Sequence, residues 1–167
     1  MTNAEEIIKF LRLQPHPKEG GYFRETYRSV DSFSDLPSRY RGKRSASTAI
    51  YYLLTPETFS AMHRLASDEV FHFYMGSPVQ MLQLFPDGQG KILGLGSDLK
   101  AGQSPQVIVP AGVWQGSRLV AGGSFALMGT TVAPGFDFAD YESGEREKLI
   151  EQYPQFAKMI RELTPAG

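Results

Sequence analysis

Cysteine is absent from all 167 residues. That excludes a disulfide framework, an iron–sulfur cluster, a cysteine-based zinc site and thiol catalysis. No apolar run approaches the ~18 residues that a membrane-spanning helix needs, and the amino terminus reads as a polar-capped helix rather than a signal peptide. A membrane partner is therefore not expected, and cytoplasmic residence is. Net charge is missing as well. Lys plus Arg number 17 against 18 for Asp plus Glu, a balance of −1, which argues against nucleic acid as the main partner. What remains is a globular composition, 41% hydrophobic and 21% charged, consistent with one domain over 1–167. At this length a single core buries roughly 70% of the unfolded surface, so neither a metal nor a cross-link is needed to hold the chain together.

Seventeen glycines and eleven prolines separate short apolar runs, which is the punctuation of a β protein. Only the ends read as helical, over about 4–13 and 144–163, around a core of about 19–140. Asn3 with Glu6 forms a capping box ahead of Ile7, Ile8 and Leu11. Ser143 is the expected cap of the carboxy-terminal helix, which Pro154 interrupts. Between them nine strands are predicted: Gly21 to Arg28, Thr48 to Leu54, Thr58 to Leu65, Glu69 to Met75, Val79 to Phe85, Lys91 to Leu95, Val107 to Val109, Val113 to Leu119 and Phe125 to Val132. Nine short, evenly spaced strands suggest a closed sandwich or barrel. Val30 to Lys43, rich in Ser, Asp, Pro and Arg, is the longest loop.

The stretch from Ala61 to Gly76 carries the chemistry. His63 and Glu69 sit on two successive strands and are expected to face each other across a hairpin. An imidazole beside a carboxylate suits a metal site or a general base with an orienting acid. Alternation aims Phe71 and Phe73 into the same interior as an apolar wall and sends His72, three residues after Glu69, to the other face. Pro110-Ala111-Gly112 is a turn that places Gln115 at the start of a strand. Arg24 stands ready either to bind an anionic ligand or to pair with a carboxylate. His16, between two prolines, reads as part of a loop.

Glu69 with Gly76, followed by Pro110, Gly112 and Gln115, resembles the two motifs of the cupin superfamily. The chain is similar over most of its length to one branch, the cupin type 5 family, a domain of unknown function. The matching stretches are Glu19 to Arg28, His63-Arg64 with Ser67-Asp68-Glu69, Val109 to Trp114, and Val132 to Phe138. The resemblance implies a double-stranded β-helix, the small all-β jelly roll, with a short helix at each end, and a homodimer built through sheet edges.

The family's metal-binding pattern is His-x-His, Glu and a third His. Here Ala61 or Leu65 stands at one position and Gln115 at another. One imidazole, one carboxylate and one amide make a poor transition-metal set, so a divalent metal held by His63, Glu69 and Gln115 is disfavoured and no cofactor is expected. The similarity of this branch to sugar-epimerase cupins implies a small-molecule site in the barrel, for a sugar- or keto-acid-like ligand. His63 would be the base, Glu69 its orienting group, and Tyr51, Tyr52 or Tyr74 the returning acid, with Arg24, Gln115, Phe71 and Phe73 contacting the ligand. The alternatives are a metal-dependent isomerase or oxygenase, and a binding protein without chemistry.

Overall fold

The computed structural model of the chain describes residues 2–165. Helix α1 (Ala4–Leu11) opens the chain, and its capping box is complete: the Asn3 side chain accepts from the Glu6 N–H, and the Glu6 carboxylate accepts from the Asn3 N–H. Strands follow in order: β1 (Gln14–Pro15), β2 (Tyr22–Arg28), β3 (Ser32–Phe33), β4 (Arg44–Ser45), β5 (Thr48–Leu54), β6 (Ser60–Arg64) and β7 (Asp68–Gly76). Then come β8 (Val79–Leu84), β9 (Gly90–Leu95), β10 (Gln106–Val109), β11 (Trp114–Leu119), β12 (Ala126–Ala133) and β13 (Glu142–Ser143). Helices α2 (Arg146–Gln152) and α3 (Ala157–Glu162) close the chain, separated by a 3-10 turn that begins at Pro154. All nine predicted strands are present. The four two-residue strands β1, β3, β4 and β13 are additional, because segments that short carry no alternation to detect. Ser143 does not cap a helix. It lies in β13, and Glu145 stands at the N-cap of α2 without a side-chain bond.

Two antiparallel sheets pack face to face. One has the order β1-β2-β5-β12-β7-β10, the other β13-β6-β11-β8-β9. Strands β6 and β7, successive in sequence, therefore belong to opposite sheets rather than to one hairpin. Between the sheets lies a core containing Tyr52, Phe71, Met81, Leu95, Val107, Leu119 and Met128. The outer face of the five-stranded sheet is apolar as well, through Met62, Leu82, Leu84 and Trp114, and α2 and α3 cover it with Leu149, Met159 and Ile160. On the other side α1 lays Ile7 against Leu53 and Leu127. The terminal helices thus bury sheet faces that would otherwise meet water, at roughly 25 cal/mol for each Å2 of apolar surface removed. No helix among the described residues is long and apolar enough to cross a membrane.

The apolar core fills only one end of the sandwich. The other end is a cavity of about 300 Å3, and the segment from Phe136 to Phe138 helps to wall it. That segment is tied down by a buried ion pair, Arg44 with Asp140, whose two hydrogen bonds are each 2.7 Å long.

Candidate functional site

His63 is 1% exposed and projects from β6 into the cavity. Its Nδ1–H donates to the Ala61 carbonyl oxygen at 2.7 Å. A carbonyl only accepts, so the proton of the neutral ring sits on Nδ1 and the Nε2 lone pair is left for the cavity. Tyr141 stacks on the ring, with centroids 5.0 Å apart and planes 12° from parallel.

The group facing Nε2 is Glu19, whose Oε2 lies 3.7 Å away. Its other oxygen, Oε1, accepts from the Ser60 hydroxyl at 2.6 Å. Glu19 reaches the site because Gly20 and Gly21, with φ of +94° and +69°, swing the chain into β2. A Cβ on Gly20 would lie 2.3 Å from the Phe59 carbonyl oxygen, so no other residue fits that turn unstrained. Ser60 shares the inner face with His63 although it lies three positions before it, an odd spacing that regular alternation would put on the other face. The pairing of β6 with β11 steps from His63 opposite Gln115 to Ser60 opposite Ser117, and the extra residue in β6 is a bulge.

His16 is the second imidazole of the site. Its Nδ1 accepts the Glu19 N–H at 2.9 Å, so its proton is on Nε2, which lies 3.8 Å from Glu19 Oε2. Burial lowers its pKa below the usual value; Glu19 opposes that shift and His63 adds to it. The proline-flanked loop that carries it folds against Phe23, with ring centroids 4.7 Å apart. It is therefore not a bystander loop residue. The Glu19-Gly20-Gly21 run was the only sequence sign of this corner.

Glu69 enters the same cavity from β7, across the sandwich from His63. Burial, and then Glu19, push its pKa up; His63 and hydrogen bonding from Gln115 and Thr130 pull it back. Gln115 does not line the cavity. It is 1% exposed and its amide donates to Glu69 Oε2 at 2.6 Å, so it holds the carboxyl rather than a ligand. Where the cupin pattern has a third His, this side chain turns a donor toward the carboxylate. With Ala61 and Leu65 beside His63 in place of a second strand histidine, the residues do not fit the superfamily's metal set. Among the described residues no group of three or more His, Asp or Glu is arranged to hold a metal ion.

Several expected contacts are not made. Phe71 and Phe73 point inward as alternation requires, but they pack in the filled end; Phe23, Ile50, Leu65, Val132, Phe136 and Phe138 wall the cavity instead. Arg24 is on the outer sheet face, with its guanidinium 5.7 Å from the Tyr51 ring centroid. The cavity's arginine is Arg28. The pairing of β2 with β5 jumps from Glu25–Ile50 to Tyr27–Ala49; Glu25 faces inward by alternation with Phe23, and the extra Thr26 brings Arg28 to the same side. Tyr51 and Tyr74 meet edge to face outside the barrel, and the Tyr52 hydroxyl donates to the Gly20 carbonyl at 2.7 Å. None of the three lines the cavity. His72 is on the outer face beside Thr131, as alternation predicts.

Two antiparallel sheets with an apolar plug at one end and convergent polar groups at the other define a cupin-type double-stranded β-helix. The chain belongs to the family described as the cupin superfamily (DUF985), which it matches over residues 5–144. It is 33% identical over 150 residues to the uncharacterised protein YML079W of Saccharomyces cerevisiae, covering 84% of this chain and 74% of the yeast protein. Among solved structures, a hypothetical protein from Leishmania major superposes with a TM-score of 0.90 at 33% identity, over 99% of this chain and all of that one. Protein SO0799 from Shewanella oneidensis gives 0.88 at 37% identity over the full length of both. Oxalate decarboxylase from Bacillus subtilis matches at 0.55 with 14% identity, over 95% of this chain and 41% of the enzyme, which is a likeness of fold.

Proposed function

We propose that the cavity binds a small molecule and moves a proton on it, as an isomerase or epimerase does, without a metal. The observation that carries this reading is the His63 ring, with Nδ1 pinned to the Ala61 carbonyl and Nε2 free toward the cavity. Nε2 would take a proton from a carbon next to a carbonyl, and Glu19 would stabilise the imidazolium that forms. Glu69, whose pKa is raised, holds its proton to higher pH than an ordinary carboxyl and is the group suited to return one. The acid is then a carboxyl rather than one of the three tyrosines first considered.

The test is solvent deuterium incorporation. Protein in D2O is incubated with a panel of aldoses and hydroxyketones, and loss of the α-proton signal is followed by NMR. Exchange should be seen and should fall at least about 100-fold in His63→Gln. Saturable binding with no exchange on any compound would leave a binding protein and remove the chemistry. For the assembled state we propose a dimer. It is supported by the outer face of the six-stranded sheet, where Tyr74 and Ile108 are each more than half exposed. Sedimentation showing a monomer at micromolar concentration would reject it.

A further inference from the structure

Charge is distributed unevenly in this molecule. Across the chain acids and bases nearly cancel, yet the cavity is lined by Glu19, Glu25, Glu69 and Asp137 against a single guanidinium, Arg28. That guanidinium is already engaged. It donates to both Glu25 oxygens at 2.9 and 2.8 Å and to the Phe136 carbonyl at 3.1 Å. Lys18 lies over the Phe138 and Tyr141 rings at 5.5 and 5.7 Å from their centroids, Arg44 is paired with Asp140, and neither is part of the lining.

The hydrogen-bonding groups are as one-sided as the charge. His63 presents a bare Nε2, since its proton is held at Nδ1 by Ala61. Glu19 Oε2 has two imidazole nitrogens near it at 3.7 and 3.8 Å, both beyond hydrogen-bonding reach. Glu69 receives an amide hydrogen from Gln115 on Oε2 and a hydrogen bond from Thr130. Against these acceptors the site offers one imidazole donor, His16 Nε2–H. A ligand that satisfies it must bring its own donors. The remaining walls are apolar and aromatic, with Phe136 and Phe138 edge to face at 5.0 Å, surfaces that suit the C–H face of a ring or an ammonium. A volume of about 300 Å3 is enough for one ring and its substituents.

We infer that the cavity takes a small, donor-rich molecule that carries neither carboxylate nor phosphate: a polyhydroxylated ring compound, neutral or amine-bearing. This rests on the reading of the cavity as a small-molecule site and narrows it, discarding keto acids and phosphorylated sugars. An anion would have to enter beside Glu19, which among the described residues makes no ion pair with a lysine or arginine, and beside Glu69, whose carboxyl Glu19 and burial already hold above its ordinary pKa, a like-charge placement that costs on the order of 100-fold in affinity.

The four probes are glucose, glucosamine, glucuronate and glucose 6-phosphate, one ring with four charge states. The readout is the NMR signals of the three imidazoles, His16, His63 and His72, with the outward-facing His72 as internal control. Glucose or glucosamine should move the His16 and His63 signals saturably and leave His72 still, with both anions at least 100-fold weaker. Glu19→Gln keeps an acceptor for Ser60 while removing charge, and should narrow the gap between glucosamine and glucuronate. Anions that shift His63 as strongly as the neutral sugar would overturn the inference and leave the small-molecule site standing. Movement of His72 alone, or of no imidazole at tens of millimolar of each probe, would remove both.

Discussion

Gln115 shows how one side chain sets the state of another. Its amide is a donor to Glu69, a carboxyl that burial and Glu19 hold above its ordinary pKa. An acid whose folded pKa is raised lends stability that is complete below its unfolded pKa, near 4.5, and is lost as pH rises through the folded value. Gln115→Leu removes a cause that lowers that pKa. The variant should therefore lose about 1–3 kcal/mol at pH 8, where Glu69 must ionise without its donor, and much less near pH 4. Urea unfolding at the two pH values measures this, and an equal loss at both would mean that Gln115 acts by packing. His16 carries the opposite sign. Its folded pKa is depressed, so the stability of its neutral form is present above pH 6.5 and is lost as pH falls through the folded value. An NMR titration should place His16 below 6.5, and a value at or above it would contradict the buried placement. Of these residues only His63, Glu69 and Gln115 were legible beforehand, because strand periodicity and the two turn motifs mark them. His16 and Glu19 come to the site through a turn whose direction depends on contacts with Phe59, over 35 residues away in sequence.

The strands themselves were legible, because alternation and Gly/Pro punctuation are local signals. Their irregularities were not. A bulge in β6 turns Ser60 inward, and the extra Thr26 in β2 turns Arg28 to the cavity, while Arg24, ahead of the bulge, faces out by ordinary alternation with Phe23 and Glu25. In each case one added residue reverses which side chains face the interior, and nothing in the local pattern announces it. Glycine turns differ in the same way. Gly20 and Gly88 both have positive φ, +94° and +86°, but a Cβ at Gly20 collides with the Phe59 carbonyl, whereas one at Gly88 meets nothing within 4 Å. Gly88→Ala should cost only backbone strain, about 1 kcal/mol. Gly20→Ala should cost clearly more, at least about 2 kcal/mol, and should also displace Glu19 from Ser60. Matched urea titrations compare them, and equal costs would show that the Gly20 turn can shift without penalty.

At the scale of the whole molecule, the cavity wall depends on a charge pair that touches no ligand-facing group. Arg44 precedes β5 and Asp140 follows the Phe136–Phe138 wall; their side chains are 4% and 5% exposed and share two hydrogen bonds of 2.7 Å. Arg28 adds a second tie at the Phe136 carbonyl. Tyr141, next to Asp140, is the ring stacked on His63, so one connection fixes both the wall and the back of the base. Arg44→Met strands a buried carboxylate and should cost about 3 kcal/mol or more. Because the strain is local, it should also loosen the segment, exposing His63 and weakening any cavity ligand. The double variant Arg44→Met/Asp140→Leu removes the stranded charge and should recover most of the stability, since a buried pair and an apolar pair of similar volume are often close in energy. Recovery of ligand binding is a separate matter. If the apolar pair packs the segment back against β4, binding returns with stability. Stability without binding would show that the bidentate geometry sets the position of the wall. A single variant as stable as the parent, by urea unfolding at pH 7, would contradict the buried placement of the pair and with it this account of how the cavity is closed.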